Sequence, residues 1–333
     1  MSPFQKFARL SAVAAAVIVA APAFAAATVD ANAEFDTGVA NNGGGSSQGG
    51  RIETNISGKA EANGGFVAGR GTIIAYLNGG ALGGNNGAAV DDAWVQAGTA
   101  AFDVKMGRWE AADLYPTPGD VFRFGNGYQT NNLRGRSLLT AGGGGVDDRL
   151  HIALTANLAA GVSLEIGVVD KKDVSAAGAL GFKGVRPALS FTAGALTARV
   201  GLESGKTADV AGSTNEVSFT GFGGTVSAAV GGGVTLRANF ANGTTSYTAG
   251  DKKQSAFLIG ADVGALNLSV ETSKDEQGAS TTKRTGLFAA YGIPLFGIKG
   301  ATLSPAIGFQ SVDTTGLAKV NNNKVGARVH YDF

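Results

Sequence analysis

The segment KVGARVHYDF, residues 324–333, alternates between two kinds of side chain without interruption. Val325, Ala327, Val329, Tyr331 and Phe333 are apolar or aromatic, and the residues between them are charged, polar or glycine. A repeat of two residues is typical of a β-strand with one apolar face, because successive side chains of a strand point to opposite sides. This segment therefore predicts a strand that lies between an apolar and a polar environment.

The same alternation recurs upstream, and the charged residues fall on one face only. It is clear at 162–168, 196–203, 234–240 and 266–271, where the polar positions include Glu165, Arg199 and Glu271. Arg or Lys on the lipid-facing side of a membrane strand costs roughly 2–4 kcal/mol near the bilayer midplane, whereas a wet interior tolerates it. The pattern thus indicates strands with one face toward hydrocarbon and the other toward water.

The segments between these strands are predicted to alternate in length. Long polar or glycine-rich links are expected at 38–50, 78–92, 110–146, 170–185, 204–215, 242–254, 273–283 and 312–323. Short links are expected at 63–65, 99–101, 159–161, 194–195, 231–233, 264–265 and 294–300. Eight long and seven short links would join about sixteen strands. The predicted fold class is therefore all-β, a transmembrane antiparallel up-and-down β-barrel.

The 53 glycines raise the alternative of a soluble β-solenoid or repeat adhesin. Solenoids carry a fixed repeat of about 20–50 residues, and the sequence shows no such period. Glycine at turns and bulges of a curved sheet explains the count. Faults in the alternation at 66–77 and 216–230 predict β-bulges there.

Residues 1–25 have the three regions of a secretory signal peptide. Lys6 and Arg9 precede an apolar run from Leu10 to Ala21, and Ala23-Phe24-Ala25 supplies the small residues of a cleavage site. The run is about a dozen residues, shorter than the roughly 20 that a membrane-spanning helix needs. We expect a signal peptide at 1–25 and one barrel domain at 26–333.

Charge and residue usage argue against several classes of function. Lys and Arg number 27 against 26 Asp and Glu, so no basic excess favours a nucleic-acid partner. The chain has no Cys, and His151 and His330 are too far apart in sequence to suggest a metal site. An outer-membrane hydrolase would need a nucleophile beside a base, and neither histidine has a serine motif around it. We expect no catalytic residues, no metal and no cofactor.

Residues 91–136 resemble the corresponding region of Gram-negative porins. They contain DDAWVQAGTAAFDVKMGRWEAADLYP, in which two strands end in Gly107-Arg108 before a long acidic and aromatic loop. The WEAADLYP stretch looks more like sugar-type porins than general ones. The closing aromatic pair Tyr331 and Phe333 resembles the signal that the barrel-assembly machinery recognises. With the signal peptide, the resemblance extends over the whole chain, and it implies an outer-membrane location, contact with lipid and a homotrimer.

The resemblance also implies a third outer loop that folds into the barrel and narrows the pore. The 110–146 segment follows the predicted fifth strand, which is the position of that loop. The charge and width of the lining decide what passes such a pore. The implied constriction comprises Lys105, Arg108, Glu110, Asp113, Asp120, Arg134, Arg136 and Arg149. Carboxylates facing a basic wall would set up a transverse field; the alternative is that these charges are solvated loop residues.

Aromatic residues are concentrated in the same loop: Trp109, Tyr115, Phe122, Phe124 and Tyr128. Aromatic faces pack against the C–H surfaces of sugars, so this set predicts a carbohydrate path. The alternative, which fits Phe122 and Phe124 best, is that the rings anchor the loop against the wall.

The sequence thus predicts a passive channel for small hydrophilic solutes, such as ions and especially sugars, and not an enzyme. One alternative is a non-specific or weakly anion-selective porin, since basic residues modestly outnumber acidic ones on the predicted lumen face. The other is a closed barrel that serves as an adhesin or structural protein. That alternative requires bulky side chains to plug the lumen, whereas the inward positions are mainly small, polar or charged.

Overall fold

A computed structural model of the chain describes residues 27–41, 46–77, 87–109, 112–116, 151–171, 180–209, 217–247 and 250–333. The predicted signal peptide at 1–25 lies outside these ranges, so the division into signal and barrel stays a prediction. No helix in the described part of the chain is long and apolar enough to cross a membrane.

Seventeen strands make up the regular structure of the described residues. They are β1 (Thr28–Ala40), β2 (Ser46–Ala62), β3 (Gly65–Leu77), β4 (Gly87–Thr99), β5 (Phe102–Arg108), β6 (His151–Ala159), β7 (Val162–Lys171), β8 (Leu180–Ala193), β9 (Leu196–Asp209), β10 (Val217–Gly231), β11 (Val234–Tyr247), β12 (Gly250–Val263), β13 (Leu266–Gln277), β14 (Ser280–Tyr291), β15 (Ile293–Pro294), β16 (Ala301–Thr314) and β17 (Val320–Asp332). The two-residue β15 belongs to a turn, and the other sixteen strands form the wall.

The wall is a closed antiparallel sheet in which each strand pairs with its neighbours in sequence. β14 passes over the short β15 to pair with β16. The first strand closes against the last, with a register that runs from Asn32↔Asp332 to Ala40↔Lys324. Closure pairs the backbone groups that an open edge would leave exposed, which is a requirement inside a membrane. The prediction of a sixteen-stranded up-and-down barrel is confirmed.

Side-chain burial is inverted relative to that of a water-soluble protein. Val325 is 54% exposed and Val329 40% exposed on the outside of the barrel, as the alternation predicts. Arg186, Glu203 and Asn239 are among the buried side chains of the interior. Charged residues are almost never fully buried in soluble proteins unless paired, and a wide apolar exterior is equally unusual there. The outside of this barrel suits hydrocarbon and the inside suits polar groups.

The links at one end of the barrel are tight. Six of them occupy two residues each: 63–64, 100–101, 160–161, 194–195, 232–233 and 264–265. Asn63 and Gly64 both have positive φ, 52° and 76°. This is the backbone of a type I′ hairpin turn, whose twist matches that of the flanking strands. The seventh link at this end, 292–300, contains β15.

At the other end, two of the predicted long links are wrong. β11 continues to Tyr247 and β12 begins at Gly250, and β13 ends at Gln277 with β14 starting at Ser280. The segments 242–254 and 273–283 are therefore mostly strand. Their polar sequences suggested loops, but an antiparallel ladder needs only backbone hydrogen bonds and continues past the apolar band into water.

A bulge lies between β3 and β4, where the alternation of residues 66–77 predicted one. The register moves from Gly71↔Ala93 to Ile73↔Val90, so Asp91 and Asp92 together oppose one residue of β3. The second predicted bulge, within 216–230, is found only where β10 meets its turn, between Ala229 and Gly231.

Candidate functional site

Residues 112–116, in the third long link, lie inside the barrel. Leu114 and Tyr115 have 0% of their surface exposed. A Cβ atom on Gly201 of β9 would lie 2.8 Å from Leu114 Cδ1, so the glycine leaves the space that the leucine fills. Tyr115 packs with Ala241 and Leu258 on the far strands β11 and β12. The described part of the third loop, residues 112–116, therefore folds inward, as predicted.

A buried ion pair binds the first residue of this segment. Arg186 Nε of β8 donates to Glu203 Oε2 of β9 at 3.1 Å, and both side chains are fully buried. Arg186 Nη2 also donates to the carbonyl oxygen of Ala112. Taking two charges out of water is costly unless their remaining hydrogen bonds are made within the protein. The carbonyl of Ala112 supplies one such bond, so the loop contributes to the environment of the pair.

Further polar side chains hold the rest of the segment along the wall. Arg199 Nη1 of β9 donates to the carbonyl of Asp113 at 3.0 Å. Asn239 of β11 donates through Nδ2 to the carbonyl of Pro116. Loop carbonyls are thus satisfied by side chains of the barrel, as buried backbone groups must be.

The hydroxyl of Tyr115 forms the farthest contact, donating to Glu271 Oε1 of β13 at 3.2 Å. On the near side, the backbone N–H of Ala112 donates to Glu165 Oε1 of β7 at 3.4 Å. We call the strand residues that hold the loop the loop-docking wall: Glu165, Arg186, Arg199, Glu203, Asn239 and Glu271.

The interior on the other side of the barrel, along β17 and β1–β4, carries alternating charges. Arg328 of β17 binds Asp36 of β1 through two nitrogens, at 2.6 and 2.8 Å, and reaches Glu34 at 3.4 Å. Arg51 of β2 donates through Nε to the same Glu34 at 3.0 Å. Each arginine therefore binds carboxylates of the neighbouring strand β1.

The series continues with wider spacing. Arg51 lies 3.6 Å from Glu53, and Arg70 of β3 lies 3.8 Å from Glu53 and 3.7 Å from Asp92 of β4. These side chains keep contact with water, since Arg51 is 34% and Arg70 36% exposed. We call this series the acid–base ladder: Arg328, Asp36, Glu34, Arg51, Glu53, Arg70 and Asp92.

A cavity of about 330 Å³ opens at the end of the acid–base ladder. Its lining consists of Arg51, Glu53, Arg70, Asp91, Asp92, Trp94, Lys105 and Trp109. Lys105 Nζ lies 3.9 Å from the ring centroid of Trp94 and 4.8 Å from that of Trp109. An ammonium group on two indole faces is attracted by the negative potential of the rings. The cavity thus combines paired charges with a cation that the two tryptophans hold in place.

The predicted constriction residues are divided among different places. Lys105 lines the cavity, whereas Asp113 lies in the docked segment, where its Oδ1 accepts from the N–H of Tyr115 at 2.8 Å. Arg108 shares a strand face with Val104 and Met106, which are exposed on the outside of the barrel, and it is not part of the cavity lining. The other members lie outside the described residues: Glu110, Asp120, Arg134, Arg136 and Arg149.

Trp109 and Tyr115 of the predicted carbohydrate path occupy different environments. Trp109 borders the cavity with only 3% of its surface exposed, and the ring of Tyr115 is fully buried and presents no face to the channel. The position of Tyr115 agrees with the alternative that the aromatic rings anchor the loop against the wall. Phe122, Phe124 and Tyr128 fall in the part of the chain that is not described.

Sequence reasoning missed Trp94 and Arg186 as site residues. Trp94 could have been selected from the sequence, because it is an aromatic residue close after the Asp91-Asp92 pair, on a strand with few aromatic residues. Arg186 carried none, since an inward arginine on β8 is one of many polar residues of the interior. Only the path of the loop distinguishes it.

His330 and the C-terminal aromatic pair lie at the barrel seam. His330 Nε2 is 2.9 Å from Asp332 Oδ1. The rings of Tyr331 and Phe333 stack with centroids 5.5 Å apart, and the backbone of Phe333 exchanges hydrogen bonds with Ala31. Within the described ranges, no group of three or more His, Cys, Asp or Glu side chains could hold a metal ion.

No protein-family model matches the chain, and no curated protein matches it in sequence. Solved structures do match. An anion-selective porin from Comamonas acidovorans superposes with a TM-score of 0.62 at 17% identity, and the match covers 92% of this chain and 100% of that one. The trimer form of OmpT, an outer-membrane protein of Vibrio cholerae, gives a TM-score of 0.65 at 13% identity with the same coverage.

A mutant of Rh. blastica porin matches with a TM-score of 0.56 at 19% identity, again over 92% of this chain and 100% of that chain. The chain has the porin fold. At these identities the likeness shows the porin barrel and its strand order. The solute and the subunit contacts of this chain have to be inferred from its own residues.

Proposed function

We propose that the chain forms a water-filled channel in the bacterial outer membrane, through which small hydrophilic solutes pass by diffusion. The observation that carries this proposal is the inverted wall: apolar side chains on the outside and a charged interior in a closed barrel. An interior lined by the acid–base ladder is compatible with water and ions.

Planar-bilayer recording of the refolded protein tests this function. We expect discrete conductance steps that are ohmic at low voltage. The same preparation denatured by heat is the control, because it contains the polypeptide without the barrel. A folded barrel that gives no steps would contradict the channel and favour the structural or adhesin alternative.

We further propose that the third loop forms the constriction. The docked segment 112–116 crosses the interior from β7 to β13, and the cavity with Lys105 lies at the start of the same loop. Of the predicted set, Lys105 and Asp113 have described positions that support this role. Arg108 lies on an outward strand face and is left out of the proposed constriction, whereas the roles of Glu110, Asp120, Arg134, Arg136 and Arg149 remain predictions.

Sugars are the solute class that we propose for the cavity. Trp94 supplies most of the aromatic surface, since Trp109 is only 3% exposed, and Glu53, Arg70 and Asp92 supply groups that bond hydroxyls. Oligosaccharide added to one side should reduce the current of the parent channel, and Trp94→Ala or Trp109→Ala should weaken this block several-fold. Phe222→Ala, which changes an outward-facing ring, is the matched control. Equal block in all four proteins would contradict the sugar preference.

Anion preference is the second candidate, and the position of Lys105 favours it. Its ammonium lies on indole rings and not in one of the ion pairs of the acid–base ladder. Reversal potentials in a salt gradient should indicate a preference for anions that Lys105→Gln lowers. An unchanged reversal potential would remove Lys105 from the selectivity mechanism.

Three proposals concern assembly. We propose a homotrimer, export by a signal peptide cleaved near Ala25, and recognition of Tyr331 and Phe333 by the barrel-assembly machinery. One solved structure with this fold is described as a trimer form, which supports the first. Cross-linking of the unheated protein, N-terminal sequencing, and the yield of folded barrel after deletion of Phe333 test the three proposals separately.

A further inference from the structure

Lysines face each other in two places on the outside of the barrel. Lys183 of β8 is the direct cross-strand partner of Lys206 of β9, and Lys274 of β13 is the partner of Lys283 of β14. Their strand faces are the outer ones, because they carry the exposed residues Val185, Leu202, Val270 and Leu287. Like charges that are directly opposed on one face of a sheet destabilise it.

Both pairs lie at the same level, just past the apolar band at the long-link end. Lys206 is four residues beyond Leu202, and Lys274 is four residues beyond Val270. At about 3.3 Å per residue this is about 13 Å along the strand, or about 10 Å along the membrane normal for a tilted strand. The lipid headgroups occupy this level.

The second pair lines a concave site. Lys274, Thr281, Lys283, Asp313 and Thr315 surround a cavity of about 330 Å³ on the outer wall. We call these five residues the rim groove. Two ammonium groups and two hydroxyls can all donate hydrogen bonds to one phosphate.

Two carboxylates, Asp313 within the rim groove and Glu276 beside it, reduce its positive charge. Lys274 Nζ is 2.6 Å from Glu276, with both side chains more than 40% exposed, so this ion pair is weak and can exchange. Asp313 is the cross-strand partner of Lys283, and its oxygens can accept hydrogen bonds from hydroxyl groups. The groove therefore suits a headgroup that has both a phosphate and hydroxyls.

We propose that the rim groove binds the phosphate of an anionic, hydroxyl-bearing lipid in the leaflet at the long-link end of the barrel. The two opposed lysines provide the charge, the level of the groove matches the headgroups, and the apolar wall below it accommodates acyl chains. The bound phosphate adds to the charge compensation that Glu276 and Asp313 give to Lys274 and Lys283. This proposal requires a barrel that spans the membrane, but not one that conducts, so it can fail or hold independently of the channel.

The test measures lipid retained by the whole purified protein in nanodiscs and in native mass spectrometry. We expect phosphatidylglycerol to be retained in preference to phosphatidylcholine. Each lysine removed should weaken retention about fivefold, so Lys274→Ala with Lys283→Ala should weaken it about 25-fold. Replacing both by Arg should keep most of the retention, since the positive charge remains.

Lys252→Ala is the matched control, because Lys252 is at the same end of the barrel but faces the interior, 3.8 Å from Asp275. It should leave lipid retention unchanged. In a zwitterionic detergent without anionic lipid, Lys283→Ala should change the melting temperature of the barrel little, because the like-charge pair with Lys274 and the opposite-charge pair with Asp313 are removed together. Addition of phosphatidylglycerol should raise the melting temperature of the parent protein more than that of the variant.

Four outcomes would overturn the proposal. The first two are equal retention of the two lipids and unchanged retention in the double alanine variant. The third is binding of inorganic phosphate alone as tightly as the lipid, and the fourth is a change of oligomeric state in the double alanine variant. The third outcome would indicate a free-anion site, and the fourth a contact between copies of the chain.

Discussion

The two sides of the barrel interior use the same arginine–carboxylate chemistry in different surroundings. In the loop-docking wall, Arg186 and Glu203 are 0% exposed and also bind a loop carbonyl. In the acid–base ladder, Arg51 and Arg70 keep about a third of their surface in contact with water. Because the first pair is buried, it holds the loop to the wall in one position, and water cannot replace a lost partner. Hydration makes the second a tunable lining, because exposed pairs contribute little to stability.

Breaking the buried pair should give the largest effect. Arg186→Ala leaves Glu203 buried without its partner and removes the bond to Ala112, which should cost about 3–5 kcal/mol. We expect the loop to leave the wall, the single-channel conductance to rise, and proteolysis within the loop to become faster. Arg186→Met combined with Glu203→Leu should restore much of the stability but not the position of the loop. Parent-like conductance in both variants would show that the pair does not position the loop.

Removing the far contact of the loop should have a smaller effect. Tyr115→Phe deletes the hydroxyl that binds Glu271 and keeps the packed ring, so the expected loss is about 2 kcal/mol in loop docking. Tyr115→Ala also deletes the ring and should cost more, by cavity formation. Open-channel noise and the rate of proteolysis of the loop measure the effect of each substitution. If Tyr115→Phe behaves like the parent, the hydroxyl contributes nothing, and if the two variants behave alike, the ring adds nothing.

On the hydrated side, Lys105→Gln should change selectivity more than stability. The substitution removes the cation held by Trp94 and Trp109, an interaction worth about 1 kcal/mol. We expect the reversal potential in a salt gradient to move toward cation preference, and the difference from the parent to shrink in concentrated salt, because the charge is screened. A difference that persists in concentrated salt would indicate a change of pore shape.

The smallest effect is expected for Arg51→Ala in the acid–base ladder. The side chain is partly hydrated, so the free energy of unfolding should fall by no more than about 1 kcal/mol. The reversal potential should move in the same direction as for Lys105→Gln. A loss of stability as large as that of Arg186→Ala would contradict the distinction between the two walls.

The barrel could be predicted from the sequence because each strand carries its own evidence. The alternation of residues 324–333 identifies both faces of β17, and closure follows from the number of such strands. The ends of β11 and β13 could not be predicted, since the backbone ladder that extends them leaves no mark on side-chain polarity. The bulge at Asp91 and Asp92 could be predicted, because a bulge interrupts the alternation itself.

The candidate site was predicted in part, because it depends on contacts across the interior. The resemblance to porins indicated an inward loop, and Lys105, Trp109, Asp113 and Tyr115 belong to it or to its start. The partners Arg186, Asn239 and Glu271 come from strands far away in sequence, and their choice depends on where the loop crosses the lumen. A local pattern contains no information about that path.

Single-cysteine labelling along β17 tests the central claim most directly, because the natural chain has no cysteine. We expect a polarity-sensitive probe at Val325→Cys and Val329→Cys to be quenched by nitroxide-bearing lipid. The same probe at Lys324→Cys and Arg328→Cys should be quenched only by an aqueous quencher. Quenching by lipid at all four positions, or the reverse alternation, would contradict a barrel with hydrocarbon outside and water within.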